Sequence, residues 1–409
     1  MTGGLAARPA DSWRGGSLGR DAHDPARMPE EPLVPESAVT PVAETLTRFT
    51  ADPRRRMPGD TARLDVQRDG DGFLVMGAHR EILLPRTGNR RYGRPKLGLG
   101  ALTDDGDSAL DPREIRYRMR EWSRTHDEIG DWINELRGHV GDAGLALVIV
   151  DDTGFEIPWE LLWLPEDPGG ELRPGWMGAL IKVARWTTIH RDGRDPSGDE
   201  PEDCAGEVVA FLGAGMEGDF AALSRFTERP YQDLPAFLAR LRSERGGLGL
   251  VYMACHGRYG TTTSRLELGG LRVRDLQAPL PAIRDSHSLV FMNACHSARL
   301  VNDLDLGDSI LRGFAESFLR HGAAAVIGTV GRIGTAYAMK TACSILDELA
   351  GDQDRPVSEA LRDLRARIDS QTPDEPEDPR ELLEFLYAFM YLYFGNPHTR
   401  LRLRERGHD

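Results

Sequence analysis

Two short apolar segments, one leading to a histidine and the other to a cysteine, constrain the fold of this chain more than any other feature. They span Leu248–Ala254 and Ser288–Ala294, and each has the length and composition of a strand buried on both faces of a sheet. The first leads to His256 and the second to Cys295. Because open parallel sheets keep their active sites beyond the carboxyl ends of the strands, we expect an imidazole and a thiol at one sheet edge.

Strands and helices alternate through most of the remaining chain. An apolar stripe at helical spacing predicts one long helix over residues 111–136, with His126 on its packed side. Further strands are predicted at Leu145–Val150 and Ala179–Trp186, and a final strand at Leu386–Phe394. The alternation predicts an α/β fold in which a mostly parallel sheet carries helices on both faces.

The chain that precedes this alternation has a different composition. Residues 1–58 are rich in Pro, Gly and Arg and contain few apolar side chains. Burial of so little apolar surface cannot offset the entropy lost when the segment becomes ordered, which predicts that it is mostly disordered. The next region is small, contains a predicted β-hairpin around Asp69–Gly72, and has no assigned role. A polar linker at 190–204 divides the alternating region. The predicted segments are therefore 1–58, 59–110, 111–195 and 204–409.

Composition narrows the classes of protein to which the chain can belong. With 409 residues, of which 40% are hydrophobic, it can bury a sizeable core. A net charge of −14 repels polyanions, so we expect no nucleic-acid partner. No run approaches 18 consecutive apolar residues and no secretion signal is visible, so we expect a cytoplasmic protein without a membrane segment. The four cysteines follow no disulfide framework, which predicts free thiols.

Each candidate catalytic residue has a neighbour of the other type. Cys255 precedes His256 and His296 follows Cys295, and neighbouring side chains on a strand point to opposite faces. We therefore expect Cys255 and His296 to point away from the cleft and to pack. The four side chains could alternatively hold zinc, but adjacent Cys-His pairs lack the spacing of tetrahedral zinc sites, so we expect no metal and no cofactor.

Seven sequence blocks occur in a fixed order over roughly residues 113–400. They are Ile157–Leu162, Ala254–Gly257, Asn293–Ala298, Gly313–Leu319, Ala325–Thr329, Val357–Leu361 and Tyr393–Pro397. Together they resemble the CHAT family of caspase-like cysteine peptidases, which are related to separases and caspases. The order of His256 before Cys295 is also similar to that of caspases, in which about 50 residues separate the two.

The resemblance implies a caspase-like fold with a dyad of His256 and Cys295. It makes residues 111–195 the N-terminal half of a CHAT-like domain and 204–409 its catalytic half. The implied activity is that of a cysteine endopeptidase, switched on by a signal, that cleaves a partner protein in a bacterial regulatory or defence pathway. The partner would be a genomic neighbour, and a second protein could activate the enzyme. An inactive scaffold or sensor is the alternative.

Further residues are candidates for contact with a substrate. Backbone N–H groups of Gly257 and Cys295 could hold the oxyanion, and the missing Cβ of Gly257 would let substrate backbone approach the imidazole. In relatives such as separase, an acidic lining that favours a basic substrate residue follows the Gly-Thr block, whereas this chain has Arg332 there. Arg332 predicts an acidic or polar substrate residue before the scissile bond. Asp303 and Asp305 are predicted on a loop beside the cleft.

Overall fold

The structure is a computed structural model that describes residues 57–80, 82, 84, 91–97, 111–167, 169–187, 202–302, 311–374 and 378–405. The predicted disordered segment lies outside the described residues except for its last two, Met57 and Pro58. The region 59–110 is described only in part, and residues 98–110 of it lie outside.

Eleven strands of the described residues form one central sheet. The strand order across this sheet is β11-β6-β7-β8-β9-β10-β5-β4-β1-β2-β3. The strands are β1 (Thr61–Asp69), β2 (Gly72–Ala78), β3 (Tyr92–Gly93), β4 (Ala146–Asp151), β5 (Lys182–Trp186), β6 (Asp203–Leu212), β7 (Leu248–Ala254), β8 (Leu289–Asn293), β9 (Ala325–Thr329), β10 (Tyr391–Gly395) and β11 (Arg400–Leu403).

The sheet consists of two parallel sets of strands. Strands β11, β6, β7, β8 and β9 run in one direction, and β10, β5, β4 and β1 run in the other. The two sets meet at the antiparallel pair β9–β10, and the hairpin β1–β2 with β3 extends the far end. The predicted mostly parallel α/β class is confirmed. Strands β7 and β8 are adjacent and parallel, so their carboxyl ends share one edge.

Helices cover both faces of the sheet, as predicted. Alternate residues of each strand point to opposite faces, so Val251 and Met253 of β7 join one apolar core while Tyr252 and Ala254 join the other. None of the described helices is long and apolar enough to cross a membrane. The α-helices are α1 (Pro112–Arg124), α2 (Asp127–Val140), α3 (Met177–Leu180), α4 (Phe220–Leu223), α5 (Leu234–Arg242), α6 (Pro281–Arg284), α7 (Phe314–Arg320), α8 (Thr335–Gly351), α9 (Val357–Gln371) and α10 (Pro379–Met390).

The long helix predicted over residues 111–136 is wrong, because the chain forms α1 and α2 with a break between them. The hydroxyl of Thr125 and the ring of His126 both hydrogen-bond to the carbonyl oxygen of Trp122, at 2.7 and 2.6 Å. These side-chain contacts compete with continuation of the helix. The prediction that His126 packs is confirmed: it is 2% exposed, and its ring centroid lies 4.3 Å from that of Trp122.

Two predicted strands are partly helical. The predicted strand Leu386–Phe394 begins as the last turn of α10, and only its residues from Tyr391 onward form β10. The predicted strand Ala179–Trp186 likewise begins in α3 and becomes β5 at Lys182. Both runs are short and mostly apolar, and such a run does not distinguish a buried helix from a buried strand.

Candidate active site

The two candidate catalytic residues follow strands that pair in register. Ala254 at the end of β7 pairs with Asn293 at the end of β8. His256 and Cys295 each lie two residues beyond this pair. A Cβ added at Gly257 would overlap the carbonyl oxygen of Cys295 and lie 2.8 Å from its carbonyl carbon. The segment that carries the imidazole therefore lies directly against the backbone that carries the thiol.

The thiol of Cys295 is half-buried, and the ring of His256 is exposed. The backbone N–H of Ile333 donates to Sγ of Cys295 at 3.4 Å, and Sγ contacts the carbonyl oxygen of Ile333 at 3.7 Å. Ile333 lies just before α8, which packs on the same face of the sheet as Tyr252. The Cys295 sulfur is thus held on the α8 side of the sheet, at the edge where β7 and β8 end.

Side chains fix the turn that follows the thiol. The hydroxyl of Thr329 donates to the carbonyl oxygen of Ala294 at 2.7 Å. Ser297 donates to the carbonyl oxygen of Met292 at 3.0 Å and accepts from the N–H of Thr329 at 2.9 Å. His296 has a φ of 60°, a backbone conformation that is uncommon for residues other than glycine. The chain therefore bends sharply just after Cys295, and β9 holds that bend in place.

The neighbouring Cys255 and His296 have surroundings of their own. Cys255 is 2% exposed and belongs to the apolar core on the face opposite Ala254. Burial, with a smaller contribution from Cys295, raises the pKa of Cys255 to about 12. The ring of His296 lies 5.6 Å from that of Tyr259. Among the described residues, no three or more His, Cys, Asp or Glu side chains are grouped to hold a metal ion.

The two remaining cysteines are distant in sequence from this edge. Cys204 lies buried on β6, and burial raises the pKa of its thiol above the ordinary value. Cys343 on α8 is half-buried like Cys295, and burial raises its pKa as well. Cys343 therefore offers an internal comparison for the reactivity of Cys295.

The predicted substrate-contacting residues have different outcomes. Arg332 is exposed and adjoins Ile333, whose backbone contacts the Cys295 sulfur. Asp303 and Asp305 lie outside the described residues. Gly257 lies at the site, but its missing Cβ makes room for the backbone of Cys295 itself. The structure thus gives a different reason for glycine from the approach of substrate to the imidazole that we expected.

Four buried polar residues beside the site were not singled out by the sequence: Asp219, Tyr252, Asn293 and Tyr391. Tyr252 and Asn293 stand out only as hydroxyl and amide groups within otherwise apolar strands, a pattern that signals a buried hydrogen-bond partner. Asp219 belongs to a short turn after β6, and nothing in its local sequence marks it as a partner of β7 and β8.

The CHAT domain family model matches residues 193–391. The match covers the segments that carry His256 and Cys295. It begins later and ends earlier than the roughly 113–400 over which the sequence blocks extend, so the blocks Ile157–Leu162 and Tyr393–Pro397 lie outside it. No curated protein matches the chain.

Solved structures similar to this chain include Saccharomyces cerevisiae separase, from its complex with securin, at 13% identity and a TM-score of 0.40. That similarity covers 68% of this chain but only 17% of the separase chain. Another is a complex of the pro- and mature domains of Porphyromonas gingivalis RgpB, at 12% identity and a TM-score of 0.44, covering 68% of this chain and 70% of that chain. Residues 193–391 of this chain are thus similar to the CHAT domain family.

Proposed function

We propose that this protein is a cysteine endopeptidase that cleaves a partner protein, with Cys295 as its nucleophile and His256 as its base. The observation that carries the proposal is the register of β7 and β8, because both residues lie two positions beyond the pair Ala254 and Asn293. A thiol is activated as a nucleophile by a neighbouring imidazole, and the half-buried Cys295 remains open to a substrate. The CHAT assignment of residues 193–391 supports the same chemistry.

The proposed reaction needs no group beyond this dyad, the backbone and water. His256 takes the thiol proton, and the sulfur of Cys295 bonds to the substrate carbonyl carbon as the π electrons move to oxygen. The N–H groups of Gly257 and Cys295 would hold this oxyanion. The C–N bond then breaks as His256 gives its proton to the leaving amine. Water, deprotonated by His256, attacks the thioester and releases the thiol.

The proposal extends to the biological setting that the family resemblance implies. The substrate would be a protein of a bacterial regulatory or defence pathway encoded near this chain, and a signal or second protein would switch the activity on. The alternative, an inactive scaffold or sensor, has the same fold but requires no reactive thiol. The reactivity of Cys295 therefore separates the two functions.

Thiol labelling tests the proposal. We expect iodoacetamide at pH 7 to alkylate Cys295 at least about tenfold faster than Cys343, because both thiols are half-buried and the proposal puts a catalytic imidazole beside Cys295 alone. Cys255, with a pKa of about 12, should stay unlabelled in the folded protein. Peptide mapping by mass spectrometry gives the rate at each cysteine.

Three variants complete the experiment. His256→Ala should slow the labelling of Cys295 and so reduce its preference over Cys343, and Cys343→Ala should leave Cys295 labelling unchanged. Cys295→Ala and His256→Ala should each abolish cleavage of a partner protein co-expressed from the genomic neighbourhood. Equal labelling of Cys295 and Cys343 in the unmodified protein would contradict the peptidase proposal and favour the scaffold.

Substrate preference provides a separate prediction. Arg332 is exposed and adjoins the residue that contacts the thiol, so its guanidinium suits an acidic or polar side chain before the scissile bond. In a peptide library we expect cleavage after Asp, Glu or polar residues. Arg332→Ala should lower kcat/KM for the acidic peptides about tenfold, whereas the exposed Arg245, which precedes β7 at the opposite edge, should tolerate alanine. Cleavage chiefly after Lys or Arg would refute this assignment.

A further inference from the structure

A cluster of four buried polar side chains lies beneath the candidate active site. We call Asp219, Tyr252, Asn293 and Tyr391 the Asp219 cluster. Their exposures are 2%, 0%, 4% and 0%. Asp219 ends a short turn after β6, whereas the other three lie on β7, β8 and β10. The cluster thus joins four separate segments of the chain within the core.

One carboxylate oxygen of Asp219 binds both strands that lead to the dyad. It accepts from the hydroxyl of Tyr252 on β7 at 2.5 Å and from the amide of Asn293 on β8 at 2.7 Å. The Tyr252 hydroxyl also accepts from the amide of Asn293 at 3.0 Å. Tyr252 precedes His256 by four residues and Asn293 precedes Cys295 by two, so the anchor joins the two strands just before the residues of the dyad.

Further contacts hold Asn293 in a single orientation. Its amide oxygen accepts from the hydroxyl of Tyr391 at 2.7 Å, and its amide nitrogen also donates to the carbonyl oxygen of Ala338 on α8 at 3.2 Å. With the nitrogen directed to Asp219 and the oxygen to Tyr391, the Asn293 side chain cannot flip without breaking bonds on both sides. The end of β8 is thereby fixed to β7, to β10 and to α8.

The burial of a carboxylate here is costly. Burial raises the pKa of Asp219, while the hydrogen bonds from Tyr252 and Asn293 oppose that rise. Apolar residues of similar volume would avoid this cost, so a buried polar network is weak evidence of a contribution to stability. A fully satisfied network does specify one arrangement of the segments that it joins. We therefore expect the cluster to fix the positions of the strand ends rather than to add to stability.

We propose that the Asp219 cluster consists of positioning residues that hold the ends of β7 and β8 in the register at which the His256 ring and the Cys295 sulfur meet. This inference rests on the proposed function. It adds to the dyad a carboxylate that acts through Tyr252 and Asn293 rather than on the imidazole itself. If the cluster is disrupted, His256 and Cys295 are still present at the ends of β7 and β8. The two strand ends, however, are no longer held in a fixed position relative to each other.

The test compares two tyrosines of the same strand. Tyr391 and Tyr393 both lie on β10, are fully buried and donate a hydroxyl hydrogen bond. Tyr391 donates to Asn293, whereas Tyr393 donates to the carbonyl oxygen of Asn396, away from the dyad strands. Phenylalanine removes one oxygen in either case, so Tyr391→Phe and Tyr393→Phe should lower the thermal midpoint to a similar extent. Only Tyr391→Phe should slow the alkylation of Cys295 by iodoacetamide, by about tenfold.

A double-mutant cycle distinguishes positioning from general destabilisation. In the His256→Ala background no imidazole remains to be aligned, so Tyr391→Phe should slow labelling of Cys295 less than about twofold. Equal effects of Tyr391→Phe with and without His256, or equal effects of the two tyrosine variants, would overturn the positioning role. Either result would leave the peptidase proposal intact, because that proposal fails only if Cys295 of the unmodified protein shows no enhanced reactivity.

Discussion

Gly257→Ala is expected to slow the alkylation of Cys295 by at least about tenfold, to the rate expected for His256→Ala. A Cβ at this position would overlap the carbonyl oxygen of Cys295 and stand 2.8 Å from its carbonyl carbon. Both partners in this clash are backbone atoms, so no side-chain rotation relieves it, and the ends of β7 and β8 must separate. A displacement of about 1 Å between reacting groups can cost about a hundredfold in rate, so we expect the variant to lose the assistance of the imidazole.

A second glycine beside the site serves as the control. A Cβ at Gly334 meets no atom within 4 Å, and its φ of −63° is accessible to alanine. Gly334→Ala should therefore leave the labelling rate of Cys295 and the thermal midpoint close to those of the unmodified protein. Rates at Cys295 are measured with iodoacetamide, and circular dichroism shows whether Gly257→Ala still folds. Labelling of a folded Gly257→Ala within about threefold of the unmodified rate would show that the contact does not matter.

The sequence was informative about the site because the relevant signals are local. Each buried strand is a short apolar run, and each reactive residue follows its strand within two positions, so the edge at which His256 and Cys295 lie follows from parallel pairing. The glycine at 257 was also recognised as necessary. The structure adds a reason that the sequence does not show, since the crowding comes from the Cys295 backbone, a contact that appears only when the two strands are placed side by side.

The helix and strand boundaries that were predicted wrongly depend on interactions that the pattern of apolar residues does not show. The apolar run at 386–394 suits either a buried helix or a buried strand, and in the folded chain α10 ends at Met390 and β10 begins at Tyr391. The break between α1 and α2 arises where Thr125 and His126 bind a carbonyl of the preceding turn. The helical stripe continues through this break, so periodicity alone predicted a single helix.

The Asp219 cluster was beyond sequence reasoning for a different reason. Asp219 and Asn293 lie 74 positions apart, and they meet only in the folded chain, where Asn293 also contacts Ala338 of α8. The residues of the segment that carries Asp219 give no periodic signal. A buried carboxylate of this kind is recognised from its hydrogen bonds, which belong to the folded chain and not to any local stretch.

Glu160→Gln is expected to lower the free energy of unfolding by about 3–5 kcal/mol, the usual cost of breaking a buried ion pair by removal of one partner. Glu160 is 1% exposed and accepts from Nε of Arg185 at 2.9 Å and also from Nη2 of that residue. Arg365 is fully buried nearby, and burial lowers its pKa to about 10 while the charge of Glu160 opposes that shift. The variant leaves two buried guanidinium groups without their carboxylate.

An exposed ion pair on α1 provides the matched control. Glu114 accepts from Arg118 at 2.6 Å, and both side chains are about two-fifths exposed. Glu114→Gln should change the free energy of unfolding by less than about 0.5 kcal/mol, because solvent screens such a pair. Urea unfolding followed by circular dichroism measures the free energy of unfolding of both variants. A change in stability should shift the urea concentration at the midpoint and leave the dependence of the free energy on urea concentration unchanged.

The pH dependence of this difference tests its electrostatic origin. Burial alone would raise the pKa of Glu160, but the charge and hydrogen bond of Arg185, with Arg365, hold it below the ordinary 4.5. A carboxyl group whose pKa is depressed by folding stabilises the folded state above its ordinary pKa, and that contribution is lost as pH falls through the folded value. The stability gap between the unmodified protein and Glu160→Gln should therefore be full at pH 6–7 and shrink below about pH 4.5. A gap that stays constant down to pH 3 would mean that lost packing, not lost charge, destabilises the variant.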